Sequence, residues 1–287
     1  MHRSVYMINS HVHLIEEDTE EYLDTLVSRM DNYGMHGAVL FGAQVEQAVD
    51  DDQVQQAVLK YPDRFIPFLS KSVDITKKES LADCLKMLDS GFWKGVGEIF
   101  LDCSDDEYTR WQDQHGNPCI ARKPVPEDKE DNYLYKALFN HCATKGLPVM
   151  VHCMDAEVME RTLAKYHGTR FIWAHVDHGF YWDIAISLMT KYSNLYCDFG
   201  VEFRYNDQQL LAGQAETWLL DHIERWRKTC RLFPSRVVWG TDLYSWEDLD
   251  EDNFKRGMGV WEEFSQSLEP DVKFKVSEGN ILRLIGL

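Results

Sequence analysis

Eight short apolar runs, at residues 5–8, 37–41, 65–69, 95–101, 148–152, 171–175, 195–199 and 237–242, recur along the 287-residue chain with helix-patterned stretches between them. Continuous apolar runs of this length read as strands buried on both faces, and parallel neighbours of that kind need a helical crossover between them. Eight repeats of the unit at this chain length predict an α/β fold, a (β/α)8 TIM barrel formed by one domain over residues 1–287. A doubly wound open sheet is the competing arrangement. It would carry a glycine-rich phosphate turn after its first strand, a place held here by His11-Val12-His13.

The helices announce themselves locally. Asp18 followed by Glu21 makes a capping box, Tyr22, Leu26, Val27, Met30 and Tyr33 recur at helical spacing, and Gly34 supplies the stop. Comparable patterns lead through Val54, Ala57 and Val58, over residues 77–88 and 132–145, and around Trp218 to Trp226. One connection is out of proportion: residues 103–130 contain Trp111, His115 and three prolines without a clear period. Long irregular connections in compact domains are usually functional or disordered. This one is expected to form a lid or substrate wall over the C-terminal face of the barrel, with a disordered insertion as the alternative.

Residues that bind metals gather at the ends of the runs. His11 and His13 alternate onto one face of the first strand, Glu98 sits in the fourth, His152 ends the fifth, His175 the sixth and Asp242 the eighth. Each has a purely structural alternative: Asp242 as a helix N-cap, Glu98 as a carboxylate that only orients a ligand histidine, His175 as a core histidine with its hydrogen bonds made. Imidazole and carboxylate donors suit Zn2+, one or two ions, with Mn2+, Fe2+ or Ni2+ as further candidates.

The set of strand-end residues resembles the amidohydrolase superfamily of metal-dependent barrel hydrolases. It is most similar to the amidohydrolase-related (amidohydrolase 2) branch, through Tyr61-Pro-Asp-Arg-Phe65, Gly146-Leu-Pro-Val-Met-Val-His152, Arg236-Val-Val-Trp-Gly-Thr-Asp242 and Gly279-Asn-Ile-Leu-Arg-Leu-Ile-Gly286. The resemblance implies that His11, His13 and Asp242 bind a metal and that His152 and His175 complete a one- or two-metal site. Members commonly carry Asp two residues before the first histidine; this chain has Asn9. Gly97-Glu98-Ile99 is similar to the strand-four motif of TatD-type hydrolases, where the glutamate bridges two metals. Other branches of the superfamily bridge with a carbamylated lysine; Lys94 has the same strand parity as Glu98 but lies roughly 13 Å down the strand and cannot reach the same point.

Those roles imply a metal-dependent hydrolase in which a metal-activated hydroxide cleaves a C–N or C–O bond of a small-molecule amide, lactone or ester. Asp242 would relay the proton, and with one metal His175 would polarise the scissile carbonyl. The competing functions are a decarboxylase of the same superfamily, a TatD-like nuclease or phosphoesterase, and a metal-binding protein without turnover. Candidate substrate contacts are Lys71, Trp111, His178, Arg204, Tyr205 and Tyr244, with Trp246 joining Tyr244 and Trp111 in an apolar wall.

Charge narrows the partners. A formal net charge of -18 argues against nucleic acid, and against anionic membrane surfaces, as partners. No apolar run approaches the roughly 18 residues of a membrane span. The seven cysteines, without a C-x-x-C pair, read as reduced thiols of a cytoplasmic protein. Homo-oligomerisation is left open by the sequence.

Overall fold

The computed structural model describes residues 7–15, 19–43, 49–73, 78–102, 133–153, 155–176, 182–200 and 215–287. Strands β1 (Met7–His13), β2 (Met35–Phe41), β3 (Phe65–Leu69), β4 (Gly95–Asp102), β5 (Val149–Cys153), β6 (Phe171–Trp173), β7 (Leu195–Gly200) and β8 (Val237–Gly240) form one sheet in sequence order. Every neighbouring pair is parallel. Helices α1 (Thr19–Asn32), α2 (Asp51–Lys60), α3 (Lys78–Asp89), α4 (Tyr133–Lys145), α5 (Ala156–Lys165), α6 (Trp182–Lys191) and α7 (Ala215–Leu232) alternate with the strands. After β8 come α8 (Trp246–Leu249), α9 (Glu251–Gln266), α10 (Pro270–Phe274), a π-helical turn (Lys275–Gly279) and α11 (Asn280–Leu284).

The sheet nearly closes on itself. Val12 and Leu243 form a parallel bridge, and the His13 amide donates to the Leu243 carbonyl at 2.8 Å, so the segment leaving β8 meets β1. The result is the (β/α)8 barrel expected from the alternation of runs. Helix starts follow ordinary capping: the Asp155 carboxylate accepts from the Glu157 and Val158 amides at 2.8 and 3.2 Å and opens α5.

Two apolar layers result. An outer layer packs the helices onto the strands, with Tyr22, Leu26, Phe139, Trp226, Trp239 and Phe264 all fully buried. An inner cluster fills the lower barrel with Ile8, Val39, Phe68, Met150, Ile172 and Val238, to which α11 adds Ile281 and Leu284. Asn280 anchors that helix by donating from Nδ2 to the Val237 and Pro234 carbonyls at 2.7 and 3.0 Å. The C-terminal segment 279–286 therefore serves as the floor of the barrel.

The strand β1 runs through His13, so the histidine pair ends it, as read from the sequence. Two other details differ from that reading. The strands β6 and β8 stop at Trp173 and Gly240, leaving His175 and Asp242 two residues beyond them. Trp246 packs edge-on against Tyr22 with ring centroids 5.5 Å apart, which puts it in the outer layer and not in a wall of the mouth. The Asp18 capping box and residues 103–130 lie outside the described residues.

Candidate metal centre

The site begins with a close approach between strands. Gly97, at φ +138°, lies where a Cβ would stand 2.7 Å from both the Cβ and the carbonyl oxygen of Met150 in β5. Only glycine takes that conformation and that spacing readily. The β4–β5 register shifts between Val96 and Ile99, as expected of a bulge, and Glu98 falls inside the irregularity with its carboxylate buried. The same shift removes the parity argument for Lys94, whose ammonium donates to the Gly91 carbonyl at 2.7 Å.

Glu98 stands between two sets of donors. On one side, His11 Nε2 and His13 Nε2 are 3.2 Å apart, and Asp242 Oδ1 lies 3.1 and 3.2 Å from them. Glu98 Oε2 is 3.7 and 3.6 Å from the same two nitrogens. On the other side, Glu98 Oε1 is 2.9 Å from His175 Nε2 and 3.5 Å from His152 Nδ1, and those two nitrogens are 3.1 Å apart. Four ligand atoms at about 2.0–2.1 Å from a common ion would be about 3.3–3.4 Å from one another in a tetrahedron. The observed separations bracket that value on both sides of Glu98, so each set could hold one divalent cation.

The charge balance points the same way. Burial opposes a charge on His11, but Asp242, Asp198 and Glu98 outweigh it and hold the imidazole well above the ordinary histidine value. For His175 burial is again the largest influence and is again overcome, chiefly by Glu98, which lifts it to about 9. Burial would raise Glu98, yet His175, His152 and His11 hold its carboxyl well below the usual range. Asp242 behaves likewise under the influence of His11, His13 and His175. Four imidazoles and three carboxylates, counting Asp198, thus converge on a centre that stabilises positive charge.

Neighbouring groups orient the donors. His13 Nδ1 lies 2.8 Å from the Gly42 carbonyl, which can only accept, so that nitrogen donates and Nε2 keeps its lone pair toward the centre. Asn9 ties β1 to the segment after β8: its Oδ1 accepts from the His11 and Thr241 amides, both at 3.1 Å, and its Nδ2 donates to Thr241 Oγ1 at 2.6 Å. An amide can both donate and accept there, which a carboxylate cannot. His175 and Asp242 have left-handed backbones, φ 31° and 51°. Non-glycine residues in that region cost roughly 1–3 kcal/mol and are held there by their surroundings.

All six strand-end candidates, His11, His13, Glu98, His152, His175 and Asp242, are therefore brought together. Of the substrate candidates, Tyr244 is partly exposed, with its ring edge toward His13 at 6.4 Å between centroids. Lys71 lies 3.3 Å from Asp50 Oδ1 at the end of β3. Trp111, His178, Arg204 and Tyr205 lie outside the described residues. One residue escaped the sequence reading: Asp198, in β7, has Oδ2 2.7 Å from His11 Nδ1 and is fully buried. Its signal was present, because an acidic residue inside the apolar run Leu195-Tyr-Cys-Asp-Phe199 is almost never buried without a partner.

Comparison with known proteins gives the family and the fold. The model of the amidohydrolase family (Amidohydro_2) matches residues 8–287, and the chain belongs to that family, as an enzyme of the amidohydrolase superfamily. Among solved structures it resembles an amidohydrolase from Burkholderia multivorans with bound zinc, at 11% identity over 98% of this chain and 99% of that one, TM-score 0.65. It also resembles a probable 2-pyrone-4,6-dicarboxylic acid hydrolase from Acinetobacter baumannii with citric acid bound (12%, 98% and 99%, TM-score 0.63). A TatD homologue from Escherichia coli K12 shares the fold as well (14%, 98% and 98%, TM-score 0.63). No curated protein sequence matches. No helix among the described residues is long and apolar enough to cross a membrane.

Proposed function

We propose that this enzyme is a metal-dependent hydrolase that cleaves a C–N or C–O bond of a small-molecule amide, lactone or ester, using two divalent cations that His11, His13, Asp242, His152, His175 and a shared Glu98 would hold. The division of the Glu98 oxygens, Oε2 toward His11 and His13 and Oε1 toward His152 and His175, carries this reading. A carboxylate that merely oriented one histidine would need only one of its oxygens placed. Zinc is the metal best suited to these nitrogen and oxygen donors.

A divalent cation in such a site supplies Lewis acidity, polarising a carbonyl and bringing the pKa of water from 15.7 to about 7. The protein's own groups do the rest. Asp242 is the acid–base residue, since its side chain is the most exposed of the carboxylates at the centre, 11% against 3% for Glu98 and 0% for Asp198. Held by His11 and His13 in its unprotonated form, it takes the proton of the attacking water and returns it to the leaving nitrogen or oxygen. His152 and His175 would hold the second cation, and if only one cation binds, His175 is placed to donate to the substrate carbonyl. Five free, buried cysteines among the described residues fit the reducing conditions of a cytoplasm.

Metal content decides between the readings. Protein purified without chelator and assayed by elemental analysis should carry two ions per chain. One ion would shift the assignment to a mononuclear hydrolase or a decarboxylase, and failure to bind any ion on reconstitution would remove the metalloenzyme reading altogether.

A further inference from the structure

The two histidines of β1 are supported unequally. His11 and His13 share a strand and present the same nitrogen to the same point, yet the groups behind them differ. Behind His13 stands a neutral backbone carbonyl, Gly42 O at 2.8 Å. Behind His11 stands a fully buried carboxylate, Asp198 Oδ2 at 2.7 Å from Nδ1. The other Asp198 oxygen is occupied too, accepting from the Ser10 hydroxyl at 3.2 Å.

Space for the pair is reserved in β8. A Cβ on Gly240 would stand 2.7 Å from the His11 Cβ and closer still to the Asp198 carboxylate. Any larger residue at position 240 would displace one or the other. Three strands therefore cooperate in one contact: β1 gives His11 and Ser10, β7 gives Asp198, and β8 gives the gap.

A carboxylate hydrogen-bonded to the outer nitrogen of a ligand imidazole fixes its tautomer and orientation and makes its inner nitrogen a stronger donor. A backbone carbonyl fixes the tautomer but adds less electron density. We propose that Asp198 is a positioning residue for the metal centre: it holds His11 as the Nδ1–H tautomer with Nε2 aimed inward, and so strengthens the binding of the ion that His11, His13 and Asp242 would hold. This rests on the two-cation reading given under Proposed function.

The test is an equilibrium titration of zinc against a chromophoric chelator, using the full-length protein and Asp198→Asn, which keeps the shape and one acceptor but removes the charge. The wild-type protein should bind two zinc ions, and the variant should lose about 10–100-fold at one site with little change at the other. Ser10→Ala, which removes the hydroxyl that donates to Asp198, should weaken the same site by less. A folded Asp198→Asn with both affinities unchanged overturns the inference while leaving the hydrolase reading intact. Wild-type protein that binds no zinc overturns both. If Asp198→Asn does not fold, histidine-selective 15N spectra of the zinc-loaded wild-type protein decide: a protonated Nδ1 on His11 supports the assignment, and a protonated Nε2 on His11 defeats it.

Discussion

The two ends of this barrel are built from opposite materials. Its floor is apolar, with Ile8, Phe68, Met150 and Ile172 from the strands meeting Ile281 and Leu284 from α11. Its mouth holds buried imidazoles and carboxylates, with two of the six candidate ligands in left-handed backbone. Burial in the floor stabilises, by about 1.5–3 kcal/mol for each large side chain. Burial in the mouth costs, because each ionisable group there loses its hydration. The same eight strands serve both ends, so the floor must supply the stability that the mouth consumes.

That contrast can be broken from either end. Asp242→Asn should give the largest effect on the mouth, lowering kcat by about 10²–10⁴-fold, since general acid–base groups contribute about that much, while far-UV circular dichroism stays unchanged. Retained turnover would take Asp242 out of the proton relay. Leu284→Ala in the floor should do the reverse. Removing a fully buried leucine side chain costs about 2–5 kcal/mol, read as a lower urea midpoint, while kcat and KM at 25 °C in the still-folded protein hold steady. If Leu284→Ala changed KM as much as stability, the two ends would not be independent.

How much of this contrast was legible in the sequence differs between the ends as well. The strands were plain because burial on both faces leaves continuous apolar runs, and five of the six candidate ligands were plain because polar residues at the ends of such runs stand out. Glu98 lies inside its run and was legible through its likeness to a family motif. Asp198, also an acid inside a run, had no such motif, and its partner is 187 residues away, a separation that periodicity cannot bridge. The roles of Gly97 and Gly240 were equally hidden, because what each glycine leaves room for belongs to another strand. The resemblance of residues 279–286 to a family signature gave no hint of their position; only the packing of Ile281 and Leu284 shows that they form the barrel floor.

Asn280 tests the seam between polar and apolar construction within the floor. Its Nδ2 satisfies two carbonyls of the β8 entry, Val237 and Pro234, and the residue is fully buried. Asn280→Ala should cost about 1–3 kcal/mol, the penalty for leaving buried acceptors unsatisfied, again without a change in kcat. A stability loss under a few tenths of a kcal/mol would mean that water replaces the amide and that α11 is held by Ile281 and Leu284 alone.

The smallest effect expected is a pH dependence confined to the mouth. In metal-free protein His175 titrates near 9, raised from its ordinary 6.5, so its protonated form favours the fold. That contribution is complete below about pH 6.5 and disappears as the pH rises through 9. Glu98 and Asp242 are shifted the other way; their contribution is present above pH 4–5 and is lost as the pH falls through their lowered values. Chelator-treated protein should therefore be most stable between about pH 5 and 6.5 and lose on the order of 1–2 kcal/mol by pH 9, the cluster sharing its protons among several groups. Zinc-loaded protein should be flat over the same range, because a bound cation replaces the proton on His175. Thermal melts of the two forms at pH 6 and pH 9 measure the difference. Parallel loss in both forms would place the titrating group elsewhere in the molecule, while loss in the metal-free form alone ties the stability of the mouth to the positive charge at its centre.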